Sequence, residues 1–448
     1  MGRYLNPGNC LFAAALNSQI YVDKSELIAY TNRVLLSEQR YICVSRPRRF
    51  GKSMAANMLV SYYGRDADSR DQFEHLKIAK EPSYEYHLNK YNVIFLNMQD
   101  FLSSTHDIEK MILRIGQSLL RDMKRAYPDI DYLDGNDLVS VLFDIYEESG
   151  IPFVFIIDEW DCIFRENKDD GQAQKKYLDF LRNLLKDKAY VALAYMTGIL
   201  PIKKYGSHSA LNMFDEFSMT NPRQLAEFVG FTEEEVRFLC TKFHMDFEET
   251  RCWYDGYRFE NTGHIYSPRS VVSAMLSGCF DNYWNQTETF EALRNYISLN
   301  YAGLKDTVIE LLAGKSKKIN VNKFTNDMTS FKTADDVLTL LVHLGYLGYD
   351  HGAREVFIPN SEVASEFYNA VEDTGWENVM TALQQSENKP AMVIELKWNQ
   401  SEEGAIQQIK NKQYLHALEE YKGNVLLVGV NYDKNTKIHR CVIEDGII

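Results

Sequence analysis

The chain has no CxxC pair, no HExxH helix and no clustered His/Cys spacing, so its sequence carries no zinc-site pattern. Its seven cysteines, at 10, 43, 162, 240, 252, 279 and 441, are odd in number and scattered. Cys43 and Cys162 fall in apolar, strand-like segments, where a buried thiol is expected. No apolar run approaches the ~18 residues of a membrane span. The N-terminal "LFAAAL" (11–16) is too short for a signal-peptide core, and "MGRYLN" lacks the Ser or Thr of the myristoylation pattern. These absences point to a cytoplasmic protein with no membrane partner. Basic charge is also in deficit: 49 Lys and Arg against 63 Asp and Glu leave a formal charge of −14. That speaks against a wholly basic nucleic-acid binder, though not against a local basic groove. There is no internal repeat and no low-complexity tract.

What is present is the composition of an ordinary globular protein, and 448 residues suffice for two or three domains. Four short apolar segments, "YICVS" (41–45), "YNVIFLNM" (91–98), "PFVFIIDEW" (152–160) and "YVALAYMTG" (190–198), are rich in β-branched or aromatic residues. Amphipathic helical patterns separate them, such as 107–127 with Ile108, Met111, Ile112, Ile115 and Leu119 on one face. Near-continuous apolar strands alternating with helices predict an α/β fold with a parallel sheet covered on both sides. Active sites in such sheets lie beyond the carboxyl ends of the strands. Past residue 205 the strand signal fades and a helical region is expected to 355, including a helix start at Ser267-Pro268. The final block, 356–448, holds strand, helix and strand at 390–400, 401–421 and 423–433, a βαβ unit.

The first strand runs into "SRPRRFGKSM" (45–54), which ends as phosphate loops do but has Arg46 where such loops begin with Gly. In the pattern G-x-x-x-x-G-K-[ST], small residues let backbone N–H groups wrap phosphates, the Lys neutralises them and the hydroxyl binds Mg²⁺. Gly51, Lys52 and Ser53 match, and a strand precedes and a helix follows, as the pattern requires. Downstream, "FVFIIDEWD" ends a buried strand in Asp158-Glu159. In P-loop ATPases an Asp at such a strand end holds Mg²⁺ and a following Glu can polarise the attacking water. Asp161 is expected to be structural, paired with an Arg. Thr197, at the end of the fourth strand, is placed to sense a γ-phosphate or to bond the local backbone. Of Arg46, Arg48 and Arg49, one suits phosphate contact and the others suit nearby carboxylates.

Read in order, "IYVDKSELI", "SRPRRFGKSM", "FIIDEWD", "TGILPIKK", "FVGFTEEEV" and "WYDGYRF" resemble the landmarks of the bacterial AAA-ATPase-like family, over about 21–259 and again near the C-terminus. The resemblance implies a P-loop ATPase core over 1–205 that uses ATP and Mg²⁺. Glu159 and Lys52 would be catalytic, and Arg48, Arg49, Gly51, Lys52, Ser53 and Thr197 would bind the cofactor. Ser53 and Asp158 would hold the metal. It also implies a restriction-endonuclease-like PD-(D/E)xK unit over 356–448 that touches DNA or RNA, with "KSKK" (315–318) as a further backbone contact. "WYDGYRF" is expected to be a structural turn, and Asp23 and Lys24 have no derivable role.

In that C-terminal unit Glu395 and Lys397 alternate onto one strand face, followed by Gln408 and Lys412 one helical turn apart. Glu366 resembles the acid of the unit's first helix. The strand and Asp that should precede E-x-K are missing near 388. Glu387 is a poor replacement, which argues against metal-dependent cleavage. Two functions follow. One is a slow Mg²⁺-dependent ATPase joined to a nuclease-like unit, and the other is a nucleotide-dependent sensor or interaction protein without nuclease activity.

Overall fold

The computed structural model describes residues 2–202, 211–259, 262–284, 290–299, 301–325, 331–372, 391–411 and 425–446. They form two compact units, Met1–Asp281 with Lys318–Asn360 and Asn282–Lys317 with Ser361–Ile448.

The first unit is built on a five-stranded sheet: β1 (Tyr41–Ser45), β2 (Asn92–Asn97), β3 (Phe153–Asp158), β4 (Val191–Gly198) and β5 (Asp215–Phe217). The order is β2-β3-β4-β1-β5 and every pairing is parallel. β1, β3 and β4 are buried at every position, so their sequences are continuous apolar runs. Parallel pairing puts all carboxyl ends at one edge. Asn97 pairs with Asp158, Val44 with Thr197 and Ser45 with Gly198. Behind this edge lies α1 (Lys52–Tyr63), whose Ala55 and Ala56 are buried. α2 (Ile108–Ala126) is capped by the Asp107 carboxylate, which accepts from Lys110 N at 2.8 Å. It buries Ile108, Met111, Ile115, Leu119 and Met123.

The stretch after 205, read from sequence as mainly helical, also holds strands that the sequence did not mark. β5 joins the sheet through backbone pairing of Asp215, Glu216 and Phe217 with Ile42, Cys43 and Val44. Its sequence, Asp-Glu-Phe, has neither the length nor the apolar alternation that marks a strand. A small antiparallel sheet of Phe231–Thr232, Tyr257–Phe259 and Gly263–Tyr266 follows, then the hairpin Gly348–Asp350 and Glu355–Phe357. The expected helices occur at Glu233–Phe243, closed by a Thr232/Glu235 capping box, and at Pro268–Ser277 and Ala334–Leu344.

Gly256, in "WYDGYRF", has φ +123°, and a Cβ there would lie 2.1 Å from the Pro359 carbonyl oxygen. Gly256→Ala therefore meets both a backbone strain of about 1–3 kcal/mol and a clash with main chain. Thermal unfolding of this variant is expected at a clearly lower midpoint than the parent's.

In the second unit β6 (Ala391–Trp398) pairs in parallel with β7 (Val425–Asp433), which pairs antiparallel with β8 (Ile438–Gly446). Helix α3 (Glu402–Asn411) packs Ile406 and Ile409 against Val393, Val425, Leu427 and Val442. Among the described residues no helix is long and apolar enough to cross a membrane.

Candidate nucleotide site

The loop after β1 shows why an arginine is tolerated where glycine is usual. Arg46 N donates to Gly198 O at 3.0 Å, extending the β1–β4 ladder by one bond. The positive backbone angles fall later, on Arg49 (φ +64°) and Gly51 (φ +92°). Arg46 therefore needs no glycine conformation, and its side chain turns inward. Fully buried, its Nη1 donates to Ser45 O and Phe217 O, both at 2.9 Å, and its guanidinium lies 5.0 Å from the Phe259 ring centre. Burial lowers its pKa to about 10. Its partners are thus carbonyls and an aromatic face, not the carboxylates or phosphate the sequence suggested. Phe50 packs edge-on against Tyr257 at 5.2 Å, so "WYDGYRF" is a structural turn that backs the loop.

Beyond this anchor the loop is built for an anion. The Lys52 ammonium, on the first residue of α1, folds back to donate to Pro47 O at 2.8 Å. An added Cβ on Gly51 would meet nothing within 4 Å, so the turn is unfilled at that position. Arg48, Arg49 and Ser53 are exposed around it. Burial lowers the pKa of Lys52, opposed by Glu159, Asp158 and Asp161, so the lysine and the acids share one environment. A buried ammonium, an unfilled glycine turn and a helix N-terminus fit a polyphosphate.

β3 delivers the acids. Asp158 is buried and accepts from the Thr197 hydroxyl and from Glu159 N, the latter at 3.1 Å. Thr197, fully buried on β4, addresses Asp158 rather than open space. Glu159 has φ +54° and its carboxylate is bonded by Arg165 Nη2. Burial raises the pKa of Glu159, opposed by Lys52 and Arg165. Arg165 was not singled out from sequence, although its i,i+4 spacing from Asp161 was a visible signal.

Asp161 is structural, as expected. Fully buried, it lies 3.2 Å from Arg165 Nε and accepts from Ile199 N at 3.1 Å and Leu200 N at 2.8 Å. Asp161→Ala leaves two buried backbone donors without their acceptor and Arg165 with Glu159 as its remaining carboxylate. A loss of about 3–5 kcal/mol is expected in denaturant unfolding.

Two further landmarks meet at Lys24. Its buried ammonium donates to Glu227 O at 2.7 Å and to Glu235 Oε2, the capping-box acid of Glu233–Phe243, at 2.5 Å. Asp23 accepts from Ser25 N at 2.8 Å and Lys77 N at 2.7 Å. Both residues fasten distant segments of the chain together.

In the second unit the structure brings Glu395, Lys397 and Gln408 together. The Gln408 amide donates to Glu395 and accepts from Lys397, and the two charges lie 3.6 Å apart. Glu366 is buried on Ser361–Glu372 and accepts from Asn282 Nδ2 at 2.7 Å. Burial raises its pKa. Lys317, of "KSKK", pairs with Glu310 at 3.0 Å. Lys412, Glu387 and the stretch around 388 lie outside the described residues. Among the described residues no group of three or more His, Cys, Asp or Glu is placed to hold a metal ion.

Residues 14–207 match the model of the family described as "Predicted AAA-ATPase", so this part of the chain is similar to that family. An uncharacterized protein in the vnfD 5′ region of Azotobacter chroococcum mcd 1 is 24% identical over 285 residues, which are 60% of this chain and 51% of that protein. The chain thus spans about half the length of the curated relative it matches. Among solved structures, the Walker-type ATPase PABY2304 of Pyrococcus abyssi aligns with 77% of this chain and 96% of its own, at 12% identity and TM-score 0.40. The Aeropyrum pernix ORC2 protein, in ADPNP–ADP complexes, aligns with 82% and 98% at 10% identity and TM-score 0.34. At these scores neither likeness decides the fold or activity of this chain.

Proposed function

We propose that the chain is a Mg²⁺-dependent ATP-binding protein and a slow ATPase, joined to a nuclease-like unit that binds DNA or RNA. What supports the ATPase half is the placement of Gly51 and Lys52 between β1 and α1, with Asp158 and Glu159 at the carboxyl end of β3 in the same parallel sheet. Lys52 would exchange its Pro47 carbonyl for the β/γ-phosphates, and Arg48 and Arg49 stand at the mouth of the loop. Ser53 and Asp158 would hold Mg²⁺, which supplies charge neutralisation on the phosphates. Thr197 fixes the Asp158 carboxylate, and Glu159 would take the proton of the attacking water while Arg165 holds its other side.

For the second unit, the interaction-only alternative has specific support. Gln408 bonds both Glu395 and Lys397, and among the described residues no group of three or more His, Cys, Asp or Glu is placed to hold a metal ion. We therefore place nucleic-acid binding ahead of cleavage. Phosphate release from ATP by the intact chain tests the first half. Mg²⁺-dependent cutting of labelled DNA and RNA, with Lys397→Ala beside the parent, tests the second. Cutting that Lys397→Ala abolishes would overturn the interaction-only view. A parent that neither binds nor turns over ATP would overturn the ATPase.

A further inference from the structure

The second unit carries an aromatic row on the sheet face opposite α3. Trp398, Tyr432 and His439 pair directly across β6, β7 and β8, so their side chains project from one face. The ring centres of Trp398 and Tyr432 are 4.5 Å apart, and those of Tyr432 and His439 are 4.8 Å apart. The residues that hold α3, such as Val393 and Leu427, have the opposite parity and point to the other face. Trp398 remains 58% exposed, and Leu396, two residues earlier on the same face, 40% exposed.

One lysine lies over this row and two more occupy the adjoining turn, on an otherwise acidic chain. Lys305 Nζ lies 5.7 Å from the Tyr432 ring centre. Lys434 and Lys437, both exposed, sit on the turn that joins β7 to β8, beside the last row of the sheet. The one carboxylate among residues 432–439, Asp433, is turned into the same loop, where it accepts from Asn435 N at 2.8 Å and Thr436 N at 3.2 Å.

We infer that Trp398, backed by Tyr432 and His439 and flanked by Lys305, Lys434 and Lys437, is a stacking platform for an unpaired base of single-stranded nucleic acid. A lone exposed indole needs a free base face, which a duplex does not offer because its bases already stack on each other. Lysines at the edge of the row suit the phosphates that enter and leave such a base. A purely structural aromatic row would leave the indole covered and would need no basic rim. The inference rests on the nucleic-acid reading of this unit, locates the contact away from Glu395 and Lys397, and requires no cleavage.

The test is fluorescence anisotropy of an end-labelled oligothymidylate of about 15 nucleotides with the intact chain, without ATP, over a salt series. Trp398→Ala should weaken binding about 5- to 100-fold, and Trp398→Phe should restore most of it. Lys434→Ala with Lys437→Ala should flatten the log–log salt dependence by about 1.4 units, for two lost phosphate contacts. A duplex of equal length should bind more weakly than the single strand. If the parent binds no oligonucleotide, the nucleic-acid reading fails and this site with it. If the parent binds and Trp398→Ala binds equally well, only this site fails. A concentration-dependent dimer that Trp398→Ala abolishes, with oligonucleotide binding unchanged, assigns the face to a second copy and also overturns it.

Discussion

Lys52→Ala is expected to weaken Mg²⁺-ATP binding by about 2–5 kcal/mol, roughly 30- to 5,000-fold in Kd. The ammonium is buried, and its one hydrogen bond that is seen, to Pro47 O, closes the loop on itself. Phosphate oxygens are stronger acceptors than that carbonyl, so the same group serves both states. The variant should nevertheless fold. Burial holds the Lys52 pKa below its ordinary value, so the charged form is disfavoured in the folded state and the unfolded chain binds more protons. Stability linked to this group therefore rises with pH, from its depressed folded pKa towards the unfolded value. At neutral pH its loss relieves a burial cost. Binding by titration calorimetry and unfolding by urea should thus separate, with affinity lost and apo stability unchanged or raised. Equal loss of both would mean that Lys52 is a structural residue.

Glu159→Gln is expected to lower ATP turnover by about 10²- to 10⁴-fold while leaving binding close to the parent's. The amide keeps the shape of the carboxylate and one acceptor for Arg165, but it cannot take a proton from water. Glu159 is held at φ +54°, a conformation disfavoured for a non-glycine residue and found where a side chain must be aimed. Phosphate release and nucleotide binding measured on the same preparation separate the two effects. Turnover equal to the parent's would remove Glu159 from the chemistry. Binding lost with turnover would make its pairing with Arg165 a folding contact only.

Much of the first unit was legible because β1, β3 and β4 are buried on both faces, which forces continuous apolar runs. The residues at their ends then declared themselves by chemistry. β5 was not legible, because two of its three residues are carboxylates and Phe217 is its one buried apolar side chain. The role of Arg46 was hidden for a related reason. Its partners, Phe217 and Phe259, come from distant segments, so neighbouring residues suggested phosphate or carboxylates instead. Arg165 was half visible, since its spacing from Asp161 showed one of its two contacts. Asp23 and Lys24 were recognisable but not interpretable until Lys24 was found on Glu235. In the second unit, E-x-K alternation put Glu395 and Lys397 on one face correctly. No local pattern revealed that Gln408 bridges them, that Glu366 answers to Asn282, or that Trp398 lines up with Tyr432 and His439.

Titration calorimetry of Mg²⁺-ATP into the intact chain asks most directly whether an arginine-headed loop is a working nucleotide site. Saturable one-site binding that Lys52→Ala loses is the result predicted. A parent chain that binds nothing at about 1 mM ATP would contradict it, and would leave Arg46 as the strut of a turn that holds no nucleotide.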